Sequence, residues 1–190
     1  GRQHGKELIL SNNHVLAEMN QNPPGTPIIQ PGEQASCRGK IATLLRFVEL
    51  KIAPEEGLVD AAVALPIDSN LICNQPLDGV CQPSPDCRAI GLIWASGEGV
   101  SWLNPIQNAL ALLEVSFPLA GSVAEATLGL PVQKTGAASG RTTGEVICLD
   151  ATVKIPFDTF GLVILRDQIG VSPLAIPGDS GSLAVENKQI

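Results

Sequence analysis

Glycine and proline punctuate this chain from end to end, as 19 and 15 of its 190 residues. Glycine supplies sharp backbone turns, and proline removes the backbone donor that a helix interior needs. A chain interrupted this often folds as short segments joined by turns, which predicts an all-β architecture rather than long helices. Its length suffices for one globular unit or two small barrels packed together. Hydrophobic residues make up 44% and charged residues 16%, an ordinary globular balance that argues against disorder. The net charge is −7 and Lys and Arg do not cluster. Nucleic acid and anionic membranes are therefore poor partners, because phosphate binding needs concentrated positive charge. No apolar run approaches the roughly 18 residues of a membrane-spanning helix. The polar start Gly1–Lys6 does not read as a signal peptide. Because the first residue is not Met, an upstream segment is expected.

Glu7–Ser11 reads as a short strand ending in Asn12-Asn13. The run Val48-Glu49-Leu50-Lys51-Ile52 alternates apolar and charged residues, the period-two mark of a half-buried strand. Ala61–Leu65 is a second apolar run, and Ile90–Trp94 a third. Asn104-Pro105 ahead of Ile106–Val115 suggests a helix, since Asn can cap and Pro suits the first helical position. From Val132 the β pattern returns at Glu145–Leu149, Ala151–Ile155, Gly161–Arg166 and Ser182–Val185. The expected organisation is a β-rich part over 1–95, a variable and partly helical connection over 96–130, and a second β-rich part over 131–190.

Five cysteines are present, Cys37, Cys73, Cys81, Cys87 and Cys148, and an odd number leaves at least one unpaired within the chain. Cys73, Cys81 and Cys87 share one Pro-rich loop that could hold a disulfide. Zinc is disfavoured because there is no CxxC pair and no nearby His.

The chemistry-bearing residues begin near the end of the chain, in Pro177-Gly178-Asp179-Ser180-Gly181-Ser182. A serine between two glycines can sit on a tight bend that a substrate approaches closely. Such a bend can aim the backbone N–H groups of Gly178 and Ser180 at one spot and stabilise an oxyanion. A polar hairpin turn has the same composition. Serine is a poor nucleophile unless a base takes its proton. The chain has two histidines. His4 lies in the polar terminal segment, whereas His14 follows a hydrophobic strand. Asp60 enters a wholly apolar run, Val59-Asp60-Ala61-Ala62-Val63-Ala64-Leu65. A lone buried carboxylate is costly and needs a partner, which an imidazole would provide. Asp68, Asp78 and Asp86 have a simpler reading as loop residues.

Ser11-Asn12-Asn13-His14-Val15-Leu16, Asp60-Ala61-Ala62-Val63 and Gly178-Asp179-Ser180-Gly181-Ser182 resemble the three motifs of the chymotrypsin-like serine proteases, in that clan's order of His, Asp, Ser. Lys134-Thr135-Gly136 and Gly140-Arg141-Thr142-Thr143-Gly144 resemble a further stretch of the bacterial, streptogrisin-type branch. The resemblance implies a double antiparallel β-barrel with His14 and Asp60 on the first barrel and Ser180 on the second. It implies a serine endopeptidase that acts on peptide or protein substrates through an acyl-enzyme, with no metal or cofactor. It also implies that Asp179 pairs with a buried cation or a chain terminus, with Arg141 as a candidate partner. A specificity pocket based at Leu174 would favour an apolar or small P1 side chain.

Two departures qualify this expectation. The family usually places two to three strands before the catalytic His. After the nucleophile it normally continues with two strands and a helix, which wall the specificity pocket and pair with the substrate backbone. Both barrels are therefore expected to be incomplete at the termini: either the chain is a fragment, or another segment of the full-length protein supplies the missing strands. The competing readings are a catalytically silent homologue serving as a binding or scaffold module, and a β-rich interaction protein whose motifs coincide by chance.

Overall fold

The computed structural model describes residues 2–3, 5–30, 39–68, 88–94, 100–116 and 123–187. Cys37, Cys73, Cys81, Cys87 and His4, and with them the loop that could hold a disulfide, lie outside the described residues. The described chain is mostly β, as the density of turns implies. No helix among these residues is long and apolar enough to cross a membrane.

A two-residue hairpin, β1 (Arg2–Gln3) with β2 (Lys6–Glu7), opens the chain. β3 (Ile9–Ser11) leads into the single-turn helix α1 (Asn13–Leu16), followed by β4 (Pro27–Gln30) and β5 (Gly39–Phe47). β6 (Glu56–Gly57) precedes β7 (Ala62–Pro66). Four of these form an antiparallel sheet in the order β3-β7-β5-β4. Its central strand β7 is the apolar run after Asp60, with Ala62, Val63 and Ala64 fully buried. The alternating Val48–Ile52 segment, expected as a strand, is not one. Asn20 occupies the Leu50 backbone instead, donating from Nδ2 to its O at 2.8 Å and accepting its N–H at Oδ1 at 3.0 Å. A side chain thus satisfies the groups that a neighbouring strand would otherwise pair.

The second sheet uses β8 (Ala89–Trp94), β9 (Ser101–Pro105), β10 (Pro131–Gly136), β11 (Gly140–Phe157), β12 (Gly161–Val171) and β13 (Leu183–Glu186), with the helix α2 (Ile106–Leu112) after β9. The order is β11-β10-β13-β8-β9-β12-β6, and β12 also pairs with β11. Six antiparallel strands therefore follow one another in a circuit of hydrogen bonds, each flanked on both sides, while β6 adds to β12 in parallel. The two expected strands at Glu145–Leu149 and Ala151–Ile155 are one long bulged strand, β11, whose register shifts against β12. Ile90, Ile93, Leu103, Val132, Val146, Val171 and Ala184 bury together as this sheet's main core.

The division at 95 and 130 does not follow the sheets. β8 and β9 pair with β13 and β12, so Ala89–Pro105 belongs with the later strands. The helix after Pro105 forms as expected, but Asn104 does not cap it. Asn104 lies in β9, Pro105 takes the N-cap position, and no side-chain cap bond forms there. Asn104 is spent elsewhere.

Candidate active site

Asn12 is extended and fully buried, and the chain turns directly from it into α1. His14 stands in that turn. Its backbone N–H donates to Asp60 Oδ1 at 3.1 Å, and its Nδ1 lies 2.5 Å from Asp60 Oδ2. The first N–H groups of a helix have no partner within it. Asp60 satisfies one of them and fixes the imidazole with its second oxygen. A proton held on Nδ1 by the carboxylate leaves Nε2 as the free acceptor, the tautomer a general base requires. The aspartate side chain is 1% exposed and the histidine 17%, so the pair is shielded on the carboxylate side and open on the imidazole side. The Phe157 ring, at the end of β11, lies 5.8 Å from the imidazole centroid.

Asp60 sits where the chain crosses between the two sheets. Glu56–Gly57 pairs with Ile164–Leu165 of the larger sheet, and Ala62 onward joins the smaller one. Three buried carboxamides fix the residues between. Gln168 Nε2 donates to Leu58 O at 2.9 Å, Asn104 Oδ1 accepts the Asp60 N–H at 2.8 Å, and Asn12 Nδ2 donates to Asp60 O at 2.8 Å. Asn13 anchors α1 from the other side, donating from Nδ2 to Asn20 Oδ1 and Val48 O, both at 2.7 Å.

Ser180 lies in the second of two overlapping turns. Asp179 N donates to Ile176 O at 3.0 Å, and Ser182 N to Asp179 O at 3.1 Å. The third position of each turn is a glycine with positive φ, Gly178 at 99° and Gly181 at 83°. This is the position that a type II turn reserves for glycine, and Pro177 suits the position before Gly178. The second turn is bonded to β8, Gly181 N to Ile93 O at 3.0 Å and Ile93 N to Ser182 O at 2.9 Å. It also presses on the His14 segment. A Cβ added at Gly181 would collide with Ser11 Oγ and stand 3.5 Å from Asn12 N. The turn bearing half-buried Ser180 and the segment bearing His14 therefore meet, although they come from opposite ends of the chain.

Asp179, beside Ser180, is fully buried, and its cation is Lys134, not Arg141. Lys134 Nζ donates to Asp179 Oδ2 at 2.8 Å, and both side chains are 0% exposed. Ala138 N and Ser139 N donate to Oδ1 at 2.9 and 3.0 Å, and Ser139 Oγ and Ile176 N donate to Oδ2 at 2.5 and 3.1 Å. Burial alone would raise this carboxyl's pKa. The donors, led by Lys134 and Ser139, outweigh it and hold the carboxyl well below the usual carboxylate range. Arg141 is exposed and reaches Gln133 Oε1 at 2.9 Å. Strand alternation carried the signal for Lys134. Val132 and Lys134 share a face two residues apart, and an apolar Val132 turns that face inward.

Leu174, the candidate pocket base, is 2% exposed and packs in the core of the larger sheet. Ser101 Oγ holds its loop by accepting the Leu174 and Ala175 N–H groups, both at 3.0 Å. No protein-family model matches this chain, and no curated protein matches it either.

Proposed function

We propose that the chain is a serine endopeptidase of the chymotrypsin-like class, with Ser180 as nucleophile, His14 as base and Asp60 as the carboxylate that orients it. The observation that carries this reading is the doubly bonded His14–Asp60 pair, met by the glycine-flanked turn of Ser180. In this reading Ser180 Oγ attacks a peptide carbonyl carbon and His14 Nε2 takes its proton. The carbonyl oxygen becomes an oxyanion held by the Gly178 and Ser180 N–H groups. The C–N bond breaks, His14 returns the proton to the leaving amine, and water repeats the sequence on the acyl-enzyme.

The two sheets correspond, in this reading, to the two barrels of the class. The smaller one is an open four-stranded sheet among the described residues. In the larger, β8, β9 and α2 take the places of the two strands and helix that the class has after its nucleophile. They precede Ser180 in the chain instead of following it. Their support is the pairing of β8 with β13 and of β9 with β12, which completes the circuit of six. The second unit is thus a reordered one that uses strands from within this chain.

The test is hydrolysis of a quenched-fluorescence peptide library by the wild type and Ser180→Ala. The reading predicts cleavage after apolar or small residues by the wild type and none by the variant, with equal thermal melting. Cleavage that persists in Ser180→Ala removes Ser180 as nucleophile.

A further inference from the structure

Asn104 belongs to β9 of the larger sheet, yet its side chain reaches the segment that crosses into the smaller one. Its Oδ1 accepts the Asp60 N–H at 2.8 Å, and its Nδ2 is directed at Leu92 O at 3.4 Å. The residue is 0% exposed. Leu92 lies in β8, paired with Leu183 of β13 and one residue from Ile93, which holds the Ser180 turn at both Gly181 and Ser182. One carboxamide therefore bridges the backbone of the carboxylate that orients the base to the strand that carries the nucleophile's turn. Ile169 of β12 pairs with Leu103 of β9, which puts Gln168 opposite Asn104 in the antiparallel register. Gln168, 2% exposed, makes the companion bond to Leu58 O.

We propose that Asn104 is a positioning residue that sets the register between the His14–Asp60 pair and Ser180, with Gln168 as its cross-strand companion. The proposal rests on the endopeptidase reading for its kinetic consequence, but its structural consequence at His14 does not. The physical reason is geometric. The carboxylate of Asp60 must meet two groups of His14 at once, so a small rotation about its backbone weakens both contacts. Small misplacements of reacting groups cost up to about a hundredfold in rate. An apolar side chain of similar volume at 104 also leaves the Asp60 N–H buried without an acceptor, so the backbone must shift to relieve it.

The experiment compares the wild type, Asn104→Leu, Asn104→Ser and, as a stability control, Val146→Ala in the core of the larger sheet. Two quantities are read on folded protein: the rate at which a fluorophosphonate labels Ser180, and the NMR resonance of the His14 Nδ1 proton, assigned by its loss in His14→Gln. Asn104→Leu is expected to slow labelling roughly tenfold or more, to lower kcat with little change in KM, and to move the Nδ1 proton upfield. Val146→Ala should lower the melting temperature and leave both readouts unchanged. Asn104→Ser, whose hydroxyl is too short to span both partners, should shift both in the same direction if the leucine variant does not fold. A wild type that resists labelling, with the Nδ1 proton still displaced in the variants, defeats the endopeptidase reading and retains the positioning role. An Nδ1 proton and a labelling rate that stay at wild-type values in a folded Asn104 variant overturn the proposal.

Discussion

Replacing Lys134 with methionine removes the buried cation paired with Asp179 while keeping most of its volume. Asp179 then stays buried with four of its five donors, Ala138 N, Ser139 N, Ser139 Oγ and Ile176 N. Removing one partner of a buried ion pair costs about 3–5 kcal/mol, because the remaining charge is uncompensated. The four surviving donors put the expected loss at the lower end, about 3 kcal/mol. In a chain of this length that lowers Tm by roughly 6–12 °C. The pH dependence gives the sharper signature. In the wild type Asp179 has a depressed folded pKa. Its stabilisation is therefore present above the unfolded value of about 3.9 and lost only as pH falls through the lower folded value. In Lys134→Met burial raises the carboxyl's pKa against weaker opposition, so protonation relieves the variant first. The stability gap to the wild type should be widest near neutral pH and narrow on acidification to about pH 4.5. Urea unfolding across that range measures it. A gap below about 1 kcal/mol, the scale of exposed pairs, or one that does not change with pH, refutes the assignment of Lys134 as the charge partner.

Asp60→Asn should fold and lower kcat by up to about ten-thousandfold, because an amide cannot hold the required imidazole tautomer; steady-state peptide hydrolysis checks this. Gly181→Ala should lose most activity and some stability, since its Cβ would collide with Ser11 Oγ at a φ of 83°; activity and melting temperature measured together would show both losses. Glu186→Gln removes the carboxylate from its pair with Arg88, whose guanidinium is open to solvent, and should leave stability nearly unchanged, measured by the same unfolding curves.

Much of the candidate site's arrangement was legible in the sequence because its signals are local. Asp60 stood out as one acid in an apolar run, and the glycines around Ser180 marked the turns they occupy. The class of fold was legible from the turn density. What sequence could not supply were the long-range partners. Asn104-Pro105 before an apolar run has the composition of a helix start, and the helix is there. Whether the Asn side chain caps that helix or reaches Asp60, 44 positions away, depends on how the sheets pack. Val48–Ile52 has a strand's alternation, but Asn20 holds its backbone. Nothing in either segment alone announces the other. Lys134 is within reach of reasoning from alternation, because Arg141 is exposed and leaves Asp179 to the inward-facing lysine. The membership of β8 and β9 was the least legible feature. Pairing is set by register across the sheet, and neighbouring strands need not be neighbours in sequence.

The proposed role of Ser180 as a nucleophile activated by His14 is open to chemical trapping. Mass spectrometry of the folded wild type after exposure to a fluorophosphonate should show a single adduct, located on Ser180, absent in Ser180→Ala and strongly slowed in His14→Ala. A folded wild type that remains unlabelled, or that carries its adduct on another residue, contradicts it.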